Sequence, residues 1–484
     1  MEKKLTYDIS DRPKFGKMLI FALQQVLAIL AATIAVPTII GIPTQMPAAI
    51  LGAGIGTLIY QLFTKFRSPV FLGSSFAFLS SLGVAVAYGY CGILLGSLVA
   101  GLVYVVIAAI IHFVGTGWVD RLMPPIIIGP TVALIGLSLA VNAMGDLVTA
   151  NAAPQIYKDY NLVSLLCGLV AFFVIIICCT QKKYTMPKLI PFIIGIAAGY
   201  AVAAIFTVIG NTAGIDYFKI INFQPVIDNF YAADGTFRGL SAFLDYPRVA
   251  LIEGFKELTT GEMSAEILKA NAEAAPITLS GIAEVIIAFL PVALVVFAEH
   301  IADHKNLSSV IGRDLIKEPG LKRTLLGDGV GSIAGTVFGV CPNTTYGESV
   351  GCVAITRNAS IATITTASFM CIILSFISPL MAALQTIPSC VMGGVCLTLY
   401  GFIAVSGLKM FKDVDLENNK NLFVVAAILI SGIGGLSIQI PYAFKANGAV
   451  ANTITVTSIS TALILGIVTN ALLSKFDKKS EEEK

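Results

Sequence analysis

Residues 68–78 read SPVFLGSSFAF and residues 341–349 read CPNTTYGES. Both combine proline, glycine and a run of small hydroxyl residues, in a chain whose other apolar stretches are long and plain. Irregular backbone at membrane depth survives only where protein or a water-filled cavity satisfies its N–H and C=O groups. Transporters built from inverted repeats place their site near mid-membrane, where interrupted helices of the two halves meet. Gly73–Phe78 and Asn343–Glu348 are therefore expected to be facing, partly extended segments that line one cavity. The competing reading is a pair of loops at a membrane surface. Their matching ordinal positions in the two halves of the chain favour the cavity.

The composition around these segments requires a membrane. The 484 residues are 56% hydrophobic and 12% charged, with 44 glycines besides, and the mean hydropathy is +0.86. Soluble domains carry about 25% charged residues, and 31 basic plus 29 acidic side chains could not cover a soluble protein of this length. That excludes an ordinary cytosolic enzyme, a disordered chain and a nucleic-acid binder. The net charge of +2 gives no reason to expect a polyanionic partner. Nine cysteines lie mostly in apolar runs and form no CxxC pair, so they read as small packing residues rather than metal or redox motifs. Residues 1–17 are polar and the first apolar run is too long for a signal peptide, so none is expected.

A span needs roughly 20 apolar residues. Candidates fall near 18–41, 47–64, 68–86, 91–113, 122–143, 161–180 and 187–210, then near 284–308, 325–340, 344–357, 359–385, 388–408, 421–440 and 448–473. Those near 325–340 and 344–357 are too short and too rich in glycine and polar residues to be ordinary helices. With the N-terminus inside and every segment spanning, 24 of the 31 lysines and arginines fall on the inner side, among them Lys3, Lys4, Lys188, Lys409 and Lys484. The short outer loops hold only Lys158 and Lys445. Both termini are thus expected in the cytoplasm, with the chain in the cell (inner) membrane. The one long outer segment, 213–280, carries nine acidic and five basic residues and reads as a passive extracellular cap. Within it, 250–272 has the pattern of an amphipathic helix.

Ionisable groups inside spans are costly and are functional candidates by default. Glu299 and Asp303 in span eight, Asp328 in span nine and Glu348 in span ten qualify. Glu299 and Asp303, at i and i+4, share a helix face. Two close carboxylates in low dielectric cannot both ionise comfortably, which makes that face a candidate proton carrier. His300 and His304 are also spaced i, i+4, but they lie about 100° round the helix from the carboxylates, and no metal site is expected. Asp328, between Gly327 and Gly329, reads as a helix-start or interfacial residue rather than a ligand group. Two carboxylates flanked by exposed backbone amides suit a planar heterocycle with alternating N–H and C=O groups. A carboxylate accepts N–H, and a protonated carboxyl or a backbone N–H donates to C=O. Phe76, Phe78 and Tyr346 could supply ring contacts. No nucleophile–base set, phosphate loop or cofactor motif appears, so the chain does not read as an enzyme.

Three stretches, FAEHIADH (297–304), GRDLIKEPGLKRTLLGDG (312–329) and PNTTYGESVGCVAITR (342–357), closely resemble the uracil permease branch of the nucleobase–ascorbate transporter family (nucleobase:cation symporter 2). LGSSFAF (72–78) and ALQQVLAILAATIAVP (22–37) are similar as well, and the likeness covers nearly the whole chain outside 213–280. The resemblance implies an all-α polytopic membrane fold of about fourteen segments in two inverted seven-span repeats. A core domain would comprise 18–113 and 284–385, and a gate domain 122–210 and 388–473. It also implies uracil import with proton symport, by movement of core against gate, and it admits a homodimer. By position, Glu299 and Glu348 match the carboxylates that hold the base, Phe76 and Gly347 the positions offering backbone amides, and Tyr346 adjoins it. The chain departs from the family pattern at Ser349, where asparagine is usual. It also has Asp303, with His304 next to it, where some members place a coupling histidine, and Gln25 where some have histidine. Proton coupling would fall to Glu299, Asp303 and His304. Xanthine or another purine is the alternative cargo, and an anion exchanger or channel on the same fold a more distant one, since Glu299 and Glu348 repel anions.

Overall fold

The computed structural model describes residues 5–148, 160–183, 187–188, 190–444 and 450–482. Lys3, Lys4, Lys158, Lys445 and Lys484, which entered the charge count, lie outside them. The first half runs α1 (Phe15–Ile39), α2 (Met46–Phe63), β1 (Leu72–Ser74), a 3₁₀ turn (Phe76–Phe78), α3 (Leu79–Val86), α4 (Gly89–Val114), α5 (Gly117–Leu122), α6 (Pro125–Val148), α7 (Leu162–Thr180) and α8 (Pro191–Ala213). After α9 (Gln224–Phe230), α10 (Ala250–Thr260) and α11 (Ala265–Ala270) come α12 (Leu279–Ile311), α13 (Leu321–Val337), β2 (Asn343–Thr345), α14 (Gly347–Thr356), α15 (Ile361–Leu374), α16 (Ser378–Gln385), α17 (Ser389–Lys409), α18 (Asn419–Ile433), β3 (Ile438–Phe444), β4 (Val450–Val456) and α19 (Ser458–Glu482). Among the described residues nine helices are long and apolar enough to cross a membrane, and three shorter apolar ones accompany them.

The third element of each half is a strand followed by a helix. The two strands pair antiparallel, with Leu72 opposite Thr345, Gly73 opposite Thr344 and Ser74 opposite Asn343. All six residues are buried, so each half-span gives its open backbone groups to the other instead of to lipid. Helices α1–α4 pack with α12–α15, and α6–α8 pack with α17–α19.

Three expectations need correction. The glycine-rich stretch at 325–340 is a regular helix, α13, and its glycines serve close packing rather than helix breaking. A Cβ at Gly331 would lie 2.8 Å from the Gly56 carbonyl of α2, and one at Gly329 would lie 2.8 Å from the Gly101 carbonyl of α4. The last two spans are shorter than 421–440 and 448–473, because α18 stops before Gly434–Gly435 (the latter at φ +73) and a β3–β4 hairpin follows before α19. The alternating, β-branched IQIPYAF and VANTITV favour strand over helix there. Finally, 250–272 is two helices. Gly261, at φ +70, ends α10, and the Ser264 side chain caps α11.

The long connection bridges both helix groups. Its beginning is held by α7 and α8, since Asn161 donates to the Tyr217 carbonyl (3.1 Å) and Ile220 N–H to Thr207 Oγ1 (3.1 Å). Its remainder sits on the other group. There Glu257 accepts the Tyr90 N–H (2.8 Å), and Ala250 N–H donates to the Gly339 carbonyl (2.8 Å).

Candidate functional site

The two broken spans meet α12 at a cavity of about 520 Å³ between the two helix groups. Ser75 and Phe76 follow β1 into its wall, Thr344, Tyr346, Gly347 and Glu348 follow β2, and Glu299 and Asp303 project from α12. Val132, Phe192, Phe402 and Ser406 line the opposite wall. Lys188 and Lys409 stand at the end remote from the long connection.

Each polar group there has an identifiable state of pairing. Asp303 is 6% exposed and accepts a hydrogen bond from Thr345 Oγ1 (2.8 Å), so β2 fixes it against α12. Glu299 Oε2 and Glu348 Oε1 are buried and have no hydrogen-bond partner within the protein. An unsatisfied buried carboxylate oxygen costs more than a typical hydrogen bond returns, so these two atoms are the places where a donor on a ligand gains most. Phe76 begins the 3₁₀ turn and Gly347 begins α14. N–H groups at those positions have no acceptor within their own helices. Carboxylate acceptors and backbone donors thus border one space, as the reading from sequence requires.

Tyr346 is a brace more than a polar contact. Its hydroxyl donates to the Ser74 carbonyl (2.6 Å) and its N–H to the Phe71 carbonyl (3.2 Å), so it ties β1 to the start of α14. Phe76 meets Tyr400 of α17 edge-on at 5.3 Å between ring centroids, one aromatic contact across the two helix groups. Phe78, expected to offer a ring to the ligand, instead stacks on Phe289 at 5.5 Å, away from the cavity. Ser349 is buried and its hydroxyl accepts from Gln25 and from the Phe71 N–H. The shorter side chain is therefore engaged with α1 and with the residue that precedes β1.

The other face of α12 holds a network that the sequence did not reveal. His300 Nδ1 lies 2.7 Å from Asp328 Oδ2 and its Nε2 3.0 Å from Thr324 Oγ1, with all three residues fully buried. Asp328 is neither a helix start nor interfacial, because α13 begins two turns earlier and buries it against α12. His304 is not in the cavity wall. Its Nε2 lies 2.8 Å from Tyr60 Oη, which is 2.7 Å from Ser68 Oγ. The intramembrane carboxylate was the available signal for Asp328, and the flanking glycines, which serve contact with Tyr60, Phe63 and Tyr104, obscured it.

Fold and cavity together define a polytopic membrane transporter of the inverted-repeat class, built around two crossed half-spans. Solved structures with this architecture include the transmembrane domain of a cyanobacterium bicarbonate transporter, BicA (TM-score 0.53, 15% identity, 88% of this chain and 99% of that one). The overall structure of SLC26A9 is similar too (TM-score 0.59, 10% identity, 95% of this chain and 65% of that one). At these identities the likeness concerns the fold alone. The chain belongs to the Permease family, which it matches over residues 16–440. Curated relatives include a uracil permease of Bacillus subtilis (strain 168), 36% identical over 98% of this chain and 96% of that protein. A uracil permease of Escherichia coli (strain K12) is 32% identical over 95% and 94%.

Proposed function

We propose that this permease imports uracil, with Glu299 and Glu348 as acceptors for its N–H groups and the N–H groups of Phe76 and Gly347 as donors to its carbonyls. The observation that carries this reading is the pair of unpartnered oxygens, Glu299 Oε2 and Glu348 Oε1, buried at one cavity beside two helix starts. The names of the relatives support the choice of base. Ring contacts come from Phe76 and from the wall made by Phe402 and Val132. The anions carried by proteins of like fold are a poor fit, because two carboxylates face the space and the lysines stand only at its mouth.

Proton symport accompanies uptake in this reading. Glu299 and Asp303 share the cavity face of α12 and hold one proton between them, while His304 faces Tyr60 on the far side and takes no direct part. The helices α1–α4 with α12–α15 act as a core that moves against a gate of α6–α8 with α17–α19. The chain sits in the cell membrane with both termini and the Lys188–Lys409 mouth on the cytoplasmic side and the long connection outside.

Radiolabelled uracil uptake in membrane vesicles, with pH and sodium gradients imposed separately, tests the reading. Uptake should follow the proton gradient and fail to respond to sodium. Glu348→Ala should lose at least tenfold in uracil affinity, about 1.4 kcal/mol. Retention of full binding by that variant would sink the assignment of the site.

A further inference from the structure

A second, smaller cavity lies in the same seam. It holds about 300 Å³ and is lined by Ala35, Thr38 and Ile39 of α1, by Asn142 and Asp146 of α6, and by Ser389, Met392 and Cys396 of α17. The lining helices also pass the main cavity, at Ala28, Val132 and Ile403. The offsets are seven residues along α1, ten along α6 and seven along α17, which puts the cavities about 10–15 Å apart at about 1.5 Å per residue. The second lies toward the long connection, since α1 leads directly into Thr44 and Gln45, whose side chains both bond Glu266 of α11. The edge-on pair of Phe76 and Tyr400 stands in the seam between them, one turn of α17 from Cys396.

The polar lining is specific in kind. Asp146 and Asn142 are spaced i, i+4 and share one face of α6. The carboxylate only accepts, whereas the amide offers both a carbonyl and an NH₂. Thr38 commits its hydroxyl hydrogen to the Ile34 carbonyl (2.7 Å), which leaves its oxygen as an acceptor toward the cavity. Ile39 and Met392 supply apolar wall. The volume equals that of about ten waters at roughly 30 Å³ each, too large for a bare ion and ample for one single-ring heterocycle with residual water.

We propose that this cavity is an external capture subsite for the transported base. There Asp146 accepts a ring N–H and Asn142 donates to a ring carbonyl before the Phe76–Tyr400 contact opens toward Glu299 and Glu348. The inference rests on the transport reading above. It assigns to the gate helices a recognition step that the main cavity, whose polar groups come mostly from the core helices, does not contain. Capture at such a subsite affects the concentration dependence of uptake from the outside and leaves equilibrium affinity at the main cavity alone.

The full-length protein is tested in right-side-out vesicles by initial rates of radiolabelled uracil uptake, and after purification by equilibrium uracil binding. Asp146→Ala and, separately, Asn142→Leu should each raise the KM of uptake about fivefold. The limiting rate and the equilibrium Kd should change by less than about twofold, the Kd also reporting that the variant is folded. The fivefold figure corresponds to about 1 kcal/mol, the usual net worth of one hydrogen bond. If wild type takes up uracil and both variants keep its KM, the subsite is overturned while the transport reading stands. Loss of equilibrium binding in both variants would also overturn it, since the residues would then support the fold rather than the route. A wild-type protein that takes up no uracil would overturn the transport reading and the subsite with it.

Discussion

Gly73→Ala tests how the crossed strands set the geometry of the cavity. A Cβ at residue 73 would lie 2.4 Å from Cε2 and 2.5 Å from Cζ of Tyr346, where ordinary contact begins near 3.4 Å. The ring must therefore retreat by about 1 Å. It has little room, since Tyr346 is 3% exposed and its hydroxyl is held by the Ser74 carbonyl at 2.6 Å. Overpacking of this kind costs about 1–3 kcal/mol, and loss of the hydroxyl bond adds about 0.5–1.5 kcal/mol. Residue 346 is bonded directly to Gly347, so displacement of the ring also moves the first N–H of α14. The expected result is a clear fall in thermal stability of the purified protein in detergent and a uracil affinity at least tenfold weaker, about 1.4 kcal/mol. The double variant Gly73→Ala with Tyr346→Ala removes the clash, so its affinity should be no worse than that of Tyr346→Ala alone, a non-additivity diagnostic of direct contact. If Gly73→Ala melts and binds as wild type does, the brace has no such role.

Other consequences are open to simpler checks. Asp328→Leu strips His300 of a fully buried partner and should destabilise the protein by about 3–5 kcal/mol. Adding His300→Leu should cost less than the sum of the single changes in a thermal-unfolding cycle. Ser349→Ala leaves the Gln25 amide and the Phe71 N–H without their shared acceptor, so a loss of about 1–3 kcal/mol is expected, read by the same melts. Burial raises the carboxyls of Glu257 and Glu266 above their ordinary value near 4.5, although Tyr90 and Gln45 bonds partly oppose it. Groups raised in the docked state favour docking below the ordinary value and lose that contribution as pH rises through the raised one. Hydrogen exchange across α10 and α11, corrected for intrinsic rate, should therefore be slower at pH 5 than at pH 8; faster exchange at pH 5 would refute the assignment.

Much of this arrangement was legible because the membrane narrows what a polar residue can mean. Proline, glycine and hydroxyl runs at matching places in the halves can persist at membrane depth only where protein or a water-filled cavity satisfies the backbone, and here β1 and β2 satisfy each other. Glu299 and Glu348 stood out as charges where charge is costly. Other features depend on facts that spacing does not carry. Phe78 is two residues beyond Phe76 in the same turn but faces Phe289, and His304 follows Asp303 but faces Tyr60. In both cases residues close in sequence point to different sides, and only the neighbouring helix decides which side is the cavity. Glycine misled in α13 because it signals both a break and a close approach, and the distinction requires the partner backbone. Asp328 was misplaced for the same reason.

The distribution of close approaches bears on how the molecule could move. Within α1–α4 and α12–α15, backbones nearly touch: a Cβ at Gly52 would lie 2.1 Å from the Gly335 carbonyl, and one at Gly54 would lie 2.7 Å from that of Ser368. Within α6–α8 and α17–α19, a Cβ at Gly136 would lie 2.2 Å from the Tyr400 carbonyl, and one at Gly394 would lie 2.1 Å from that of Gly168. No glycine among the described residues makes such a contact from one group to the other. Across that seam lie instead the cavities of about 520 and 300 Å³. Interiors packed backbone to backbone resist shear, because even one methylene cannot be accommodated without displacement. Parting along the seam disturbs side chains and cavities only, so the proposed movement of core against gate has its lowest-cost plane where the site already lies. The long connection is consistent with that plane, held by α7 and α8 as far as Ile221 and, from Asn229 onward, by Phe376 and Ser378 where α15 passes into α16 and then by α4. Any relative displacement must therefore be taken up between Asn222 and Asp228.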